Sequence, residues 1–262
     1  MKYLFQLLQQ NKPLYWATIG TLVMLLLSLI GLGIDDRILL GENVWLKPIK
    51  FGISIPIFCI TLAWLLSITP FEVSTKKWLS RFSGWPLVLE IPLVMIQAAR
   101  GVPSHFNESS LLDGVIFGMM GFLIFINTIV VVWVAVASFI RKFNTTKAMQ
   151  TAIQLASIAM LISMYVGTVM ISAKGHAVGV EDGGPGMPIT HWSTEGGDWR
   201  AIHFLGMHGW QLLPLLVYFL QSLQLKISLI NKLVWASGIV YLGILLFFYW
   251  RTANGFSLFS WV

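Results

Sequence analysis

Charge is scarce in this chain and cysteine is nearly absent. Only 11% of its 262 residues are charged, against roughly 25% in a soluble domain, and 56% are hydrophobic. One soluble core of this length cannot hide that apolar surplus, so a lipid bilayer must act as solvent for much of it. The single cysteine, Cys59, lies inside an apolar run, which excludes an intrachain disulfide framework. No CxxCH sequence is present, which excludes covalent c-type haem. No CxxC pair suggests a zinc ribbon or an iron–sulfur cluster. Internal repeats and low-complexity tracts are also missing. Nothing marks a second domain, so residues 1–262 read as one transmembrane domain.

What the chain has is apolar runs. Seven of them follow one another: Pro13–Ile34, Pro48–Ile68, Trp85–Ala99, Leu111–Ile140, Met149–Ser172, Ala201–Leu223 and Leu233–Trp250. A spanning helix needs about 20 mostly apolar residues. The expectation is an all-α, polytopic transmembrane helix bundle of seven spans. The third run is short and carries Glu90; the fourth is long enough to tilt or to start before the bilayer. The opening MKYLFQLLQQNK is mildly amphipathic and suits the interface. The run after it reads as a retained first span, because no small-x-small cleavage site follows.

Charge placement orients the spans. With a cytoplasmic N-terminus, the inner loops hold ten of the seventeen basic residues, and Glu72 is their only acid. The outer side holds seven basic residues against nine acids. This Lys/Arg bias is the orienting signal of polytopic proteins. It accounts for the net charge of +6 without a nucleic-acid partner. The C-terminal RTANGFSLFSWV then lies outside or at the outer interface, and the implied partner is the bilayer of a cell membrane. All five histidines, His105, His176, His191, His203 and His208, fall on the outer side or in outer helix ends.

Three constellations carry candidate chemistry. In the third span Glu90 and Gln97 are seven residues apart and share a helix face, and Arg100 lies one turn beyond. A carboxyl at that depth is expensive when ionised, so it is protonated or partnered, with Arg100, Arg200 or a histidine as candidates. The stripe reads either as a proton relay or acid/base group or as a polar clamp between helices.

Residues 174–199, KGHAVGVEDGGPGMPITHWSTEGGDW, contain seven glycines and two prolines, which argues against regular structure. Trp192, Trp199, Met187 and Ile189 allow the segment to pack as an ordered lid over the outer end of the bundle. Glu181–Asp182 reads as a solvated turn in preference to a cation loop.

The sixth span opens DWRAIHFLGMHGWQ. Asp198 suits the N-cap. Arg200, His203 and Met207 share one face, whereas His208 is about 140° round the helix from His203. One regular helix therefore cannot aim both imidazoles at one ion, and a second ligand must come from elsewhere, with His105 and His176 as candidates. His208 faces Gln211 one turn on. Gly206 and Gly209 admit a close neighbour or a flat cofactor. The bland alternative has both histidines bonded to loop carbonyls. Lys47 and Lys50, in WLKPIKFGIS, either bind an anion or pair with Asp35, Asp36 and Glu42.

The stretches WLKPIKFGIS, QAARGVPSHFN and GHAVGVEDGGPGMPITHWSTEGGDWRAIHFLGMHGWQ together resemble a family of uncharacterised bacterial multi-spanning membrane proteins. The resemblance covers most of the chain and implies a bacterial cytoplasmic membrane protein. It brings no activity, cofactor or catalytic residue.

Three functions stay open. The first is an outward-facing pocket lined by Glu90, Gln97, Arg100, His105, His176, Asp198, Arg200, His203, His208 and Gln211. It would hold a metal ion or non-covalent b-type haem on the histidines, for redox or hydrolytic chemistry on a small or lipid-like molecule. Glu90, Arg100 and Arg200 would be its catalytic groups. The second is a small-molecule transporter or sensor, with Pro92, Pro103 and Pro214 marking helix breaks. Against it stands the lack of a comparable polar stripe toward the cytoplasm. The third is a structural or assembly partner.

Overall fold

A computed structural model describes residues 2–259 of the chain. Residues 260–262, the end of the stretch assigned to the outer interface, lie outside the described residues. The described chain is mainly helical, with four two-residue strands. Its contacts divide it into two units, Met1–Val131 and Val132–Val262, with the border inside one helix.

The first unit begins with α1 (Lys2–Gln10), whose Leu7 and Leu8 are buried while Tyr3 and Phe5 stay exposed. Asn11 and Pro13 then punctuate the chain. A proline within the first turn loses no intrahelical bond, and α2 (Lys12–Ile34) starts there. A short hairpin follows, β1 (Ile38–Leu39) against β2 (Glu42–Asn43), antiparallel, turning through Leu40 and Gly41 at positive φ. Next come α3 (Leu46–Ile68), α4 (Val73–Arg100) and α5 (Leu111–Ile140), the last crossing into the second unit. Leu14 and Ala17 of α2, Cys59 and Leu62 of α3, and Leu87, Ile91 and Val94 of α4 are buried. A Cβ on Gly84 would meet the Pro13 backbone at 2.5 Å, so this glycine is what lets α4 approach α2.

The second unit holds the end of α5, then α6 (Lys147–Ala173), β3 (Ala177–Val178), β4 (Gly197–Asp198), α7 (Trp199–Ser222) and α8 (Ile227–Ala253). Contacts along α6 and α7 run in opposite order. Ser163 bonds His203, Gly206 closes on Ala159 and Ser163, Gly209 on Ala156 and Ala159, and Ser157 bonds Trp210. The two helices are therefore antiparallel over most of their length. The 174–199 segment is ordered. Ala177 pairs with Asp198, Trp199 N–H donates to the His176 carbonyl, and Trp192 and Val178 pack on a core of Val166, Ile202, Leu245 and Leu258.

Six helices are long and apolar enough to cross a membrane: α2, α3, α4, α5, α6 and α8. Large side chains such as Leu26, Ile30, Phe122, Phe125, Ile239 and Val240 stand at least half exposed on them. A soluble surface seldom carries so much contiguous apolar area, whereas a bilayer accepts it. The protein is a multi-pass membrane protein of all-α class. Two sequence expectations change. The third run is part of a 28-residue helix, because the amphipathic stretch before Trp85 continues it. Pro92 and Pro214 do not break their helices; only Pro103 lies in a loop.

Candidate functional site

One face of α4 carries a stripe of buried polar side chains. Ser83, Glu90 and Gln97 recur every seven residues, and Ser80 sits one turn before Ser83. All four are buried. Gln97 and Arg100 meet Asp113, in the first turn of α5. Asp113 Oδ1 accepts from Gln97 Nε2 at 2.9 Å and from Arg100 Nη1 at 2.5 Å. Its Oδ2 accepts from the hydroxyls of Ser110 at 2.5 Å and Ser109 at 3.3 Å. Arg100 also donates to Gln97 Oε1. Every atom of that carboxylate is satisfied, so this end of the stripe is a clamp joining α4 to α5. Asp113 was not singled out by sequence. Its signal was the Ser110-Leu-Leu-Asp113 capping-box spacing: the Asp113 N–H donates to Ser110 Oγ while the hydroxyl bonds the carboxylate.

Glu90 has no such company. It is fully buried, and neither carboxylate oxygen has a hydrogen-bond partner. The expected partners are engaged elsewhere: Arg100 with Asp113, and Arg200 with Asp198. Pro86 and Pro92 flank Glu90 within α4. Each lacks an N–H, which leaves the carbonyls of Phe82 and Val88 without their helical donors. Lys47, in the first turn of α3, is the charge that acts on both Glu90 and His105. Below Glu90, Ser83 Oγ donates to Asn127 Oδ1 of α5 at 2.5 Å, and Ser80 Oγ is buried with no partner. Polar groups thus occur in both halves of α4, a feature missed because Ser80 and Ser83 precede the apolar run and read as part of a polar loop.

His105 lies in the loop after α4. Its ring is boxed by Phe51, Phe106 and Phe117, and Nδ1 is 3.0 Å from Ser104 Oγ. Burial, and then the positive charge of Lys47, hold its pKa well below the usual histidine value. At the same end Arg37 binds Asp35 at 2.7 Å and donates to the Ala99 carbonyl at 2.9 Å, closing the C-terminus of α4. The Arg37 side chain, followed by the Trp45 indole, keeps the Asp35 carboxyl well below its ordinary range. Lys50 pairs with Glu42 at 2.5 Å, one of the bland pairings expected.

In the second unit Asp198 caps α7 by accepting from Arg200 N–H at 2.9 Å. It also receives Ser193 N–H at 2.8 Å and the Arg200 guanidinium at 2.7 Å. Arg200 in turn donates to the His191 carbonyl. These bonds tie the 174–199 segment to the helix. His191 Nε2 is buried and unpartnered. His176 Nδ1 lies 2.9 Å from Asp182 Oδ1, within ion-pair distance although not aligned as a hydrogen bond. Asp182 also accepts from Ala177 N–H at 2.7 Å and His176 N–H at 3.2 Å. Burial alone would raise the Asp182 pKa; the His176 ring and these backbone donors outweigh it and bring the carboxyl to about 2. The acidic turn is thus a bonded turn closed on His176.

His203 Nδ1 lies 2.8 Å from the Ser163 carbonyl, which only accepts, so Nδ1 carries the proton. The partner is a helix carbonyl, not the loop carbonyl of the bland reading. Gly206 and Gly209 face α6, so a helix fills the space a flat cofactor would need. His208 stacks edge-on against Phe204 at 4.3 Å and bonds Gln211. Glu90, Gln97, Arg100 and His105 belong to the first unit, and His176, Asp198, Arg200, His203, His208 and Gln211 to the second. Among the described residues, no three His, Cys, Asp or Glu side chains converge as a metal-binding group. No family model, curated protein or solved structure matches the chain.

Proposed function

We propose that the protein is a seven-span bacterial cytoplasmic-membrane protein that moves protons through its first unit. The carrying observation is Glu90, a fully buried carboxyl with neither oxygen bonded. An ionised carboxylate there has no hydrogen bond to offset its desolvation. Such a group is built to carry a proton or to meet an arriving partner, and intramembrane carboxyls characteristically serve proton relays. Ser80, Ser83 and Asn127 on one side and Gln97 on the other supply polar groups in both halves of the same stripe. That removes the main objection to a through-path. Lys47 acts on Glu90 from a neighbouring helix, so displacement of either group changes the other.

Seven spans are supported by α7. It is 24 residues long, about 36 Å at 1.5 Å per residue, and lies antiparallel along α6. Its polar first turns lower its hydropathy without shortening it. The basic loops at the Lys76, Arg141 and Lys226 ends favour a cytoplasmic side for those ends.

Purified protein in liposomes loaded with a pH-sensitive dye tests the reading. Under an imposed membrane potential, wild type should acidify or alkalinise the lumen, and Glu90→Gln should abolish the flux. A folded wild type that moves no protons, or a Glu90→Gln variant as active as wild type, contradicts it.

A second reading draws on His203. With Nδ1 tied to the Ser163 carbonyl, Nε2 carries the lone pair, the arrangement of histidines that ligate metals or haem. A visible spectrum and metal analysis of the purified protein, with His203→Ala alongside, decide it. A colourless, metal-free and folded protein rules it out.

A further inference from the structure

The two ends of the first unit balance their charge differently. At the α4 C-terminal end, Arg37, Lys50 and Arg100 each pair with an acid, at 2.7, 2.5 and 2.5 Å. At the opposite end stand Lys12, Lys76, Lys77 and Arg81, with Glu72 the sole acid. Among the described residues none of these four cations has an ion-pair partner. Glu72 receives only the Ser74 hydroxyl, at 3.4 Å, and Arg81 lies over the Trp78 ring at 5.4 Å.

A cleft of about 270 Å³ opens at this unneutralised end, between α1, the end of α3 and the start of α4. Its polar wall comprises Lys76, Lys77, Gln10, Asn11 and Ser67, and its apolar wall includes Leu7 and Leu66. Lys76 is half-buried and Lys77 exposed, and both line the cleft. Asn11 Nδ2 is committed to the Leu7 carbonyl at 2.8 Å, and Ser67 Oγ to the Trp64 carbonyl at 2.7 Å. Both side chains are therefore held in place before any ligand arrives. The lysines and Gln10 supply the donors, which suits an anion with several acceptor oxygens.

We propose that this cleft binds the phosphate group of an anionic phospholipid. The source is argued from α1. Tyr3 and Leu4, one turn before Leu7 on the same helix face, are exposed and apolar, and a lipid brings chains to cover such a face as well as a phosphate for the lysines. A free phosphate fills only the polar wall. Lipid at this position buttresses α1 against α3 and α4, so the site is a structural lipid site distinct from the Glu90 stripe.

Native mass spectrometry of the detergent-purified protein tests it with phosphatidylglycerol, phosphatidylcholine and inorganic phosphate. Phosphatidylglycerol should be retained and phosphatidylcholine lost. Lys76→Gln with Lys77→Gln should weaken phosphatidylglycerol retention by roughly tenfold or more, and the charge-preserving Lys76→Arg, Lys77→Arg pair should restore it. Equal retention of the two lipids overturns the proposal, as does unchanged retention in the glutamine pair. Displacement of phosphatidylglycerol by millimolar inorganic phosphate overturns the lipid source and assigns the cleft to a soluble anion.

Discussion

Two stretches of α4, ten residues apart, treat a buried polar side chain in opposite ways. Around Arg100, guanidinium, amide and hydroxyls converge on one carboxylate and leave it nothing further to bond. Around Glu90 the carboxylate is equally enclosed and unbonded. A bonded cluster resists change, because each member loses a partner when another moves. An unbonded carboxyl stores no such interaction, so it is free to exchange a proton or take a partner. The contrast sets a bonded clamp at the α4–α5 junction against the proposed proton-exchanging group in mid-helix, although both sit on one stripe of one helix.

The largest effect should come from breaking the clamp. Asp113→Ala leaves Arg100 and Gln97 facing an empty acceptor, and the melting temperature in detergent should fall by several degrees. If the loss is negligible, the clamp is not the stabilising half of the comparison.

His105 should make the same end sensitive to acid. Its folded pKa lies below the ordinary 6.5, so the unfolded chain takes up the proton more readily. Stability is full above pH 6.5 and falls as pH drops below it. His105→Gln should flatten that slope between neutral pH and about pH 5. A slope identical to wild type refutes the assignment.

Asp182 offers the matching test in the second unit. Its carboxyl is lowered from 3.8 to about 2, so its contribution is present above pH 3.8 and disappears as pH falls toward 2. A quarter of the side chain is exposed, which cuts the contribution to about 1 kcal/mol once screening is allowed for. Asp182→Asn should lose that increment at neutral pH, read by thermal denaturation, and little at pH 2.

The smallest effect on stability should come from Glu90→Gln. It removes no hydrogen bond and leaves no group that can ionise in the buried site, so the melting temperature should hold or rise while proton flux is lost. A large destabilisation would show that Glu90 is a structural group with a partner.

Much of this was legible in the sequence. Apolar length is a one-dimensional quantity, and it located each long helix from α2 to α8. The Glu90, Gln97, Arg100 stripe and the Asp198 cap also followed from helical spacing. What escaped was set by packing between helices. Asp113 becomes the Arg100 partner only because α5 starts beside the end of α4. Ser80, Ser83 and Asn127 read as ordinary small polar residues until Ser83 and Asn127 are seen bonded. Gly206 and Gly209 were open to a neighbour or a cofactor, and only the fold showed α6 against them. The length of α4 was hidden because its first turns are amphipathic, not apolar.

The central claim is that Glu90 exchanges a proton. Difference infrared spectroscopy of the protein in lipid, across a pH titration, reads that exchange directly from the carbonyl stretch of a protonated carboxylic acid. The account predicts a titrating acid band in wild type that is missing in Glu90→Gln. The same titrating band in both proteins, or none in wild type, would contradict it.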